Sequence, residues 1–127
     1  MQGSLTGRTV REVFEDHLER RQAGDVEGDI ARNYASDAVV LCGDGVLQGH
    51  HGVREASRRL HELVPNATYR YRTVLTAGEM AFLEWEAEGD GVRVDDGVDS
   101  FLIRDGHILV QTIHYTPVPA RRAAGGC

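Results

Sequence analysis

The chain has no lysine, only two cysteines and no long apolar run, and each scarcity excludes something. Cys42 lies in a short apolar stretch and Cys127 is the last residue, so no disulfide framework is expected. Without a run of about 18 apolar residues, no membrane-spanning helix is expected. Residues 1–9 hold no apolar leader core, which leaves the cytoplasm as the expected compartment. All 14 basic residues are arginine, and 20 acidic residues outweigh them to a net charge of −6, which disfavours a phosphate backbone as partner. The pairs Arg20-Arg21, Arg58-Arg59 and Arg121-Arg122 are scattered and read as solvated surface. Neither nucleic acid nor a membrane is an expected partner.

What is present fits one domain of 127 residues. Residues 1–8 read as a loose N-terminus, 9–116 as the domain and 117–127 as a flexible tail ending Ala-Ala-Gly-Gly-Cys. Helical patterns come first and strands follow, which predicts an α+β fold. Over residues 9–22, Val10, Val13, Phe14, His17 and Leu18 make one apolar helical stripe. Gly24 stops it, and Asp25 caps a second short helix carrying Val26, Ile30 and Tyr34. A strand at 38–42, a turn and a return strand at 46–48 lead to a third helix ending near Val64. Its stripe is Val53, Ala56, Leu60, Leu63 and Val64, and Pro65 ends it. Strands follow at 68–77, 80–89, 92–104 and 107–116, with short glycine-bearing links that predict an antiparallel meander. Three helices on a strongly curved sheet make a cone-shaped barrel, with Phe14, Leu18, Leu60, Phe101 and Ile113 in its core.

Strand phase puts Asp99, Phe101 and Ile103 on one face. A carboxylate in that company is either a strand-end residue touching water or a group whose ionisation the fold controls. His17 is either a satisfied core histidine or an acid–base group. In the last strand Leu109, Gln111, Ile113 and Tyr115 share the more apolar face, with Val110, Thr112 and His114 opposite. Leu83 and Trp85 point inward, leaving Glu84, Glu86 and Glu88 to solvent. Tyr69 and Tyr71 form cone wall or rim. Cys42 has no basic neighbour to activate it, and Asp44 reads as a turn residue. His50, His51 and His61 show no ligand spacing, so no metal site is expected.

Four motifs in order carry a family resemblance: Ala23-Gly24-Asp25-Val26-Glu27-Gly28, Tyr34-Ala35-Ser36-Asp37-Ala38-Val39, Gly49-His50-His51-Gly52-Val53-Arg54-Glu55-Ala56 and the Asp99–Ile108 hairpin. Over residues 9–116 the chain resembles the nuclear transport factor 2-like superfamily, and within it the SnoaL-like and ketosteroid-isomerase-like enzymes. The resemblance implies an oxyanion-binding role for two positions. Asp99 falls where the isomerases place a protonated aspartic acid, kept neutral by its apolar site so that it can donate a hydrogen bond. His17 falls where they have a tyrosine. Cys42 and Ile113 fall where the isomerases and the SnoaL-type cyclases respectively keep a carboxylate base, and neither is one.

Two functions stay open. The first is a cofactor-independent enzyme that moves a proton next to a carbonyl of a small apolar organic molecule, as in isomerisation, cyclisation or dehydration. His17, Asp99 and Tyr115 would be its catalytic residues, and Phe14, Tyr34, Cys42, Trp85, Phe101, Gln111 and Ile113 would surround the substrate. The second is a non-catalytic ligand-binding or dimerisation domain of the same fold. A homodimer through the outer sheet face is expected in either case. A void of roughly 300 Å³ beside His17 and Asp99 would favour the first.

Overall fold

The computed structural model describes residues 5–120. A 3-10 turn at Leu5–Gly7 precedes helix α1, Val10–Gln22. Thr9 opens α1 with a reciprocal cap, its hydroxyl accepting from the Glu12 N–H while the Glu12 carboxylate accepts from the Thr9 N–H. Two N–H groups that the first helical turn leaves without partners are thereby satisfied. Asp25 caps α2, Val26–Asn33, through the Gly28 N–H, and α3 spans Gly49–Leu63. The strands are β1 Tyr34–Cys42, β2 Gly45–Gln48, β3 Thr68–Ala77, β4 Met80–Glu88, β5 Val92–Arg104, β6 His107–His114 and β7 Pro117–Pro119. No helix among the described residues is long and apolar enough to cross a membrane.

Three helices and a seven-stranded, mostly antiparallel sheet give the expected α+β cone. The sheet order β2-β1-β6-β5-β4-β3 leaves β2 and β3 as edges, so the cone is not closed. One junction departs from a pure meander: β1 and β6 run parallel. That pairing needs a long crossover, which the whole stretch from β2 to β5 supplies.

Several expectations are corrected. Tyr34 is not helical; its extended backbone ends α2 and opens β1 opposite Ile108. A register shift between Tyr34 and Val39 takes up Ala35, Ser36 and Asp37, so β1 begins earlier than residue 38. A second shift, between Leu102 and Ile103, moves the inner phase of β6 at its start, so Ile108 is sealed in the core and Leu109 is only half-buried. Leu60 and Ile113 flank the core instead of filling it. Leu63, the last residue of α3, is 48% exposed. The expected loose ends are fastened over their described parts. Arg8 donates to Asn33 Oδ1 and to the carbonyls of Arg32 and Gly106 at 2.8, 2.8 and 2.9 Å. Pro117–Pro119 pairs with β5 after Asp96 accepts the Thr116 N–H at 2.8 Å. The rest of the expected tail, Cys127 included, lies outside the described residues.

Inner phase fixes what faces the helices. Leu83, Trp85 and Ala87 are buried on β4, while Glu86 turns outward to Arg70, as the alternation predicts. Trp85 lies opposite Gly97 on β5, and a Cβ at Gly97 would stand 2.2 Å from the indole carbons. Glycine is therefore required there for the ring to lie flat on the strand. Gly97→Ala is expected to lower unfolding stability by about 1–3 kcal/mol through overpacking. Urea denaturation checks this, and an unchanged midpoint would contradict the packing argument.

Candidate functional site

Helix α1 turns His17 inward one turn after Phe14, and the ring is boxed by aromatic neighbours. Phe14 stacks on it with centroids 6.4 Å apart, and Phe101 and Tyr34 meet it edge-on at 5.1 and 5.8 Å. Its Nδ1 lies 2.8 Å from Oδ2 of Asp29, a carboxylate with no solvent exposure on the last turns of α2. Arg21, one turn beyond His17, donates from Nε to the same oxygen at 2.5 Å and from a terminal nitrogen to Ser57 Oγ at 3.1 Å. Asn33 Nδ2 donates to Asp29 Oδ1 at 2.8 Å and to Asp16 Oδ2 at 2.9 Å. Burial alone would raise the Asp29 pKa, but His17 and Arg21 together draw it down to about 2. A charged carboxylate that accepts from an imidazole fixes that ring's orientation and, in the neutral imidazole, places the proton on Nδ1. Among the described residues His17 Nε2 has no hydrogen-bond partner, and His17 lines the cavity.

Asp99 has a different environment. Trp85 Nε1–H donates to Oδ1 and Gln111 Nε2–H donates to Oδ2, each at 2.8 Å. Gln111 is oriented in turn by Tyr34, whose hydroxyl donates to Gln111 Oε1 at 2.5 Å. Burial raises the Asp99 pKa to about 6, against the lowering pull of the Trp85 and Gln111 bonds and of His17 and Arg21. The two carboxylates therefore differ in state: Asp29 stays ionised and Asp99 titrates near neutrality.

His17, Arg21, Asp99 and Gln111 line one cavity between the helices and the sheet, with Leu18, Ser57, Tyr69, Tyr71, Leu83, Trp85 and Ile113 among its apolar and polar walls. The space open to water centres is about 80 Å³, within about 710 Å³ of atom-free space that includes the mouth. The first figure falls short of the void expected from the sequence.

The structure thus brings His17, Asp99, Trp85, Gln111 and Ile113 together. Phe14, Tyr34 and Phe101 sit behind this wall and act on it through His17 and Gln111. Tyr115 and Cys42 do not line the cavity. They line a neighbouring hollow with Asp44, Arg59, Leu63 and Pro117, where about 290 Å³ is open to water centres. That hollow is the larger of the two, and in it Asp44 is paired to Arg59 at 3.4 Å. The Tyr115 ring packs on Trp85 of the cavity wall, at 5.7 Å between centroids. His17 and Asp99 line the same cavity, and the carboxylate that holds the imidazole directly is Asp29. Sequence reasoning missed Asp29, Arg21 and Asn33. Helical spacing already puts Arg21 one turn from His17, and Asn33 one turn from Asp29. What the spacing does not give is the angle at which α2 crosses α1. His50, at the start of α3, donates from Nε2 to the Tyr34 carbonyl at 2.8 Å.

Comparisons with known proteins agree with this architecture. Among solved structures, a proposed ketosteroid isomerase from Kribbella flavida shares 14% identity at a TM-score of 0.69, over 91% of this chain and 83% of its own. A SnoaL-like protein from Mesorhizobium loti, described as a polyketide cyclase, shares 19% at 0.62, over 85% and 100%. TerC, crystallised with polyporic acid, shares 18% at 0.68, over 84% and 91%. At these identities the likeness establishes the fold alone. No curated protein sequence matches the chain significantly. The family model for the SnoaL-like domain matches residues 14–111, most of the chain. The chain belongs to the SnoaL-like domain family.

Proposed function

We propose that the protein is an acid–base enzyme that moves a proton at the carbon next to the carbonyl of a small organic molecule. The observation that carries this reading is the held imidazole: His17 is oriented by buried Asp29 while its Nε2 opens on a cavity that also contains Asp99. His17 Nε2 would take the α-proton as general base. The developing enolate oxygen would be met by the Asp99 carboxyl in its protonated form. Asp29, which touches no substrate, is a positioning residue that keeps the imidazole proton on Nδ1 and favours the imidazolium formed during transfer. The family and its cyclase- and isomerase-type neighbours support this class of chemistry, and TerC with its bound polyporic acid supports a small-molecule ligand. No cofactor is required by these steps.

The small free volume favours a second reading, a ligand-binding domain without turnover. The two readings separate by rate. With cyclohexanone in D2O, wild-type protein is expected to accelerate deuterium uptake at the α-carbons, followed by NMR. His17→Ala should lower that rate by roughly 10²–10⁴-fold. Binding without catalysed exchange would favour the second reading.

The outer sheet face is proposed to pair two copies. Leu75, Phe82, Ser100, Thr112, Leu41 and Val46 align across six strands, and Leu41, Val46 and Leu75 are exposed. Light scattering is expected to give twice the chain mass, and Leu75→Glu with Leu41→Glu should halve it; a wild-type monomer at micromolar concentration would contradict the pairing.

Linkage fixes the pH dependence of stability. Asp29 is depressed from 3.8 to about 2, so its contribution is complete above about pH 4 and is lost as pH falls towards 2. Asp99 is raised from 3.8 to about 6, so its contribution is complete below about pH 4 and is lost as pH rises through 6. Each amounts to roughly 2–3 kcal/mol. Denaturation across pH 2–8 should show stability rising and then falling, and Asp99→Asn should remove the fall. A fall of equal size in Asp99→Asn would assign it to another group.

A further inference from the structure

Four tyrosines stand on or near the inner wall, and their hydroxyls have different fates. Tyr34 donates to Gln111, and Tyr71 donates to the Leu18 carbonyl at 3.3 Å. Tyr115 opens on the neighbouring hollow. The hydroxyl of Tyr69 is buried and has no hydrogen-bond partner, the one such side-chain atom among the described residues. Tyr69 lines the cavity, and its ring is held against Trp85 at 5.7 Å. Its backbone carbonyl is pinned by Gln22 Nε2 at 3.0 Å, and β3 pairs it with Ala87. The ring is thus anchored at its strand and against the indole. Burial raises its pKa to about 12, so the hydroxyl keeps its proton through the physiological range.

An unpartnered buried hydroxyl is destabilising, and native proteins hold few of them. Its persistence beside a cavity is accounted for when a ligand atom completes it. We propose that Tyr69 is a substrate-positioning residue whose hydroxyl donates a hydrogen bond to an oxygen of a neutral carbonyl compound bound in this cavity. This deepens the acid–base reading above and rests on it for the class of substrate. Neutrality follows from the charges: the Arg21 guanidinium is already matched by the Asp29 carboxylate, so the wall holds no spare cation for an anionic ligand. A hydroxyl donor also fits a carbonyl better than a substrate offering only donors. Tyr69 and Asp99 meet the same carbonyl oxygen, Tyr69 donating to it in the bound molecule and Asp99 as charge develops on it.

Two probes of one shape test this. Cyclohexanone carries the oxygen, and methylenecyclohexane replaces it with a CH₂ group. Binding to wild type and to Tyr69→Phe is measured by NMR titration and by the emission of Trp85, the single tryptophan of the chain. Wild type is expected to prefer cyclohexanone, and Tyr69→Phe to bind it about tenfold more weakly while binding methylenecyclohexane unchanged. Because Tyr69→Phe removes an atom that has no partner, its melting temperature should equal or exceed that of wild type. Equal affinity of the two proteins for cyclohexanone, a parallel loss for both probes, or no binding of cyclohexanone to wild type would overturn the proposal. Deuterium exchange is scored separately. Probe discrimination without catalysed exchange retains the Tyr69 contact and removes the acid–base reading; exchange without discrimination does the reverse.

Discussion

The rest of the site depends on one buried carboxylate. Asp29 has no solvent exposure and accepts from His17, Arg21 and Asn33. A charge so placed is tolerated because each oxygen has donors and a guanidinium offsets it. The same contacts fasten α1 to α2 and, through Ser57, to α3. Asn33 also reaches Asp16, which Arg20 and Arg32 hold from the surface side. Helix packing and the orientation of the imidazole therefore share one set of bonds. Removing Asp29 would leave Arg21 and His17 without their common acceptor, which is costlier than never having buried the pair.

Two acids with opposite environments give the cavity its chemical character. Asp29, surrounded by donors and cations, is kept as an anion. Asp99, held by two neutral N–H groups in a more apolar wall, has its pKa raised by burial to about 6. Groups whose environments push their pKa values apart are suited to opposite roles in proton transfer. The glycine at 97 serves this arrangement indirectly, since the indole that binds Asp99 lies where any larger residue would stand.

The α+β cone was legible because it rests on periodicities of 3.6 and 2 that local sequence displays. His17 facing inward, Asp99 beside Phe101, and Gln111 with Ile113 on one face of β6 all follow from phase alone. Phase failed where the chain slips: at the bulges near Tyr34 and Leu109 no residue type marks the slip, and tertiary pairing decides it. The parallel β1–β6 junction was equally hidden, since strand adjacency across most of the chain leaves no local trace. For the site, phase turned both His17 and Asp99 towards the cavity but gave no sign of Asp29. Asp29 falls between Val26 and Ile30, the apolar positions of a short helix, and no local pattern distinguishes it from the acidic Glu27 near it. Only the crossing of α1 and α2 turns it inward. Phase turned Tyr115 towards the cavity, but β6 ends at His114 and Tyr115 lines the next hollow.

The central claim is that Asp29 holds His17 with its proton on Nδ1 and its Nε2 lone pair free towards the cavity. Nitrogen-15 NMR of the imidazole at pH 8 tests it most directly, because the two tautomers place the protonated nitrogen at different positions in the spectrum. The account predicts a protonated Nδ1 and an unprotonated Nε2 in wild type, with that preference lost in Asp29→Asn. A wild-type imidazole protonated on Nε2, or a tautomer unchanged by Asp29→Asn, would contradict it.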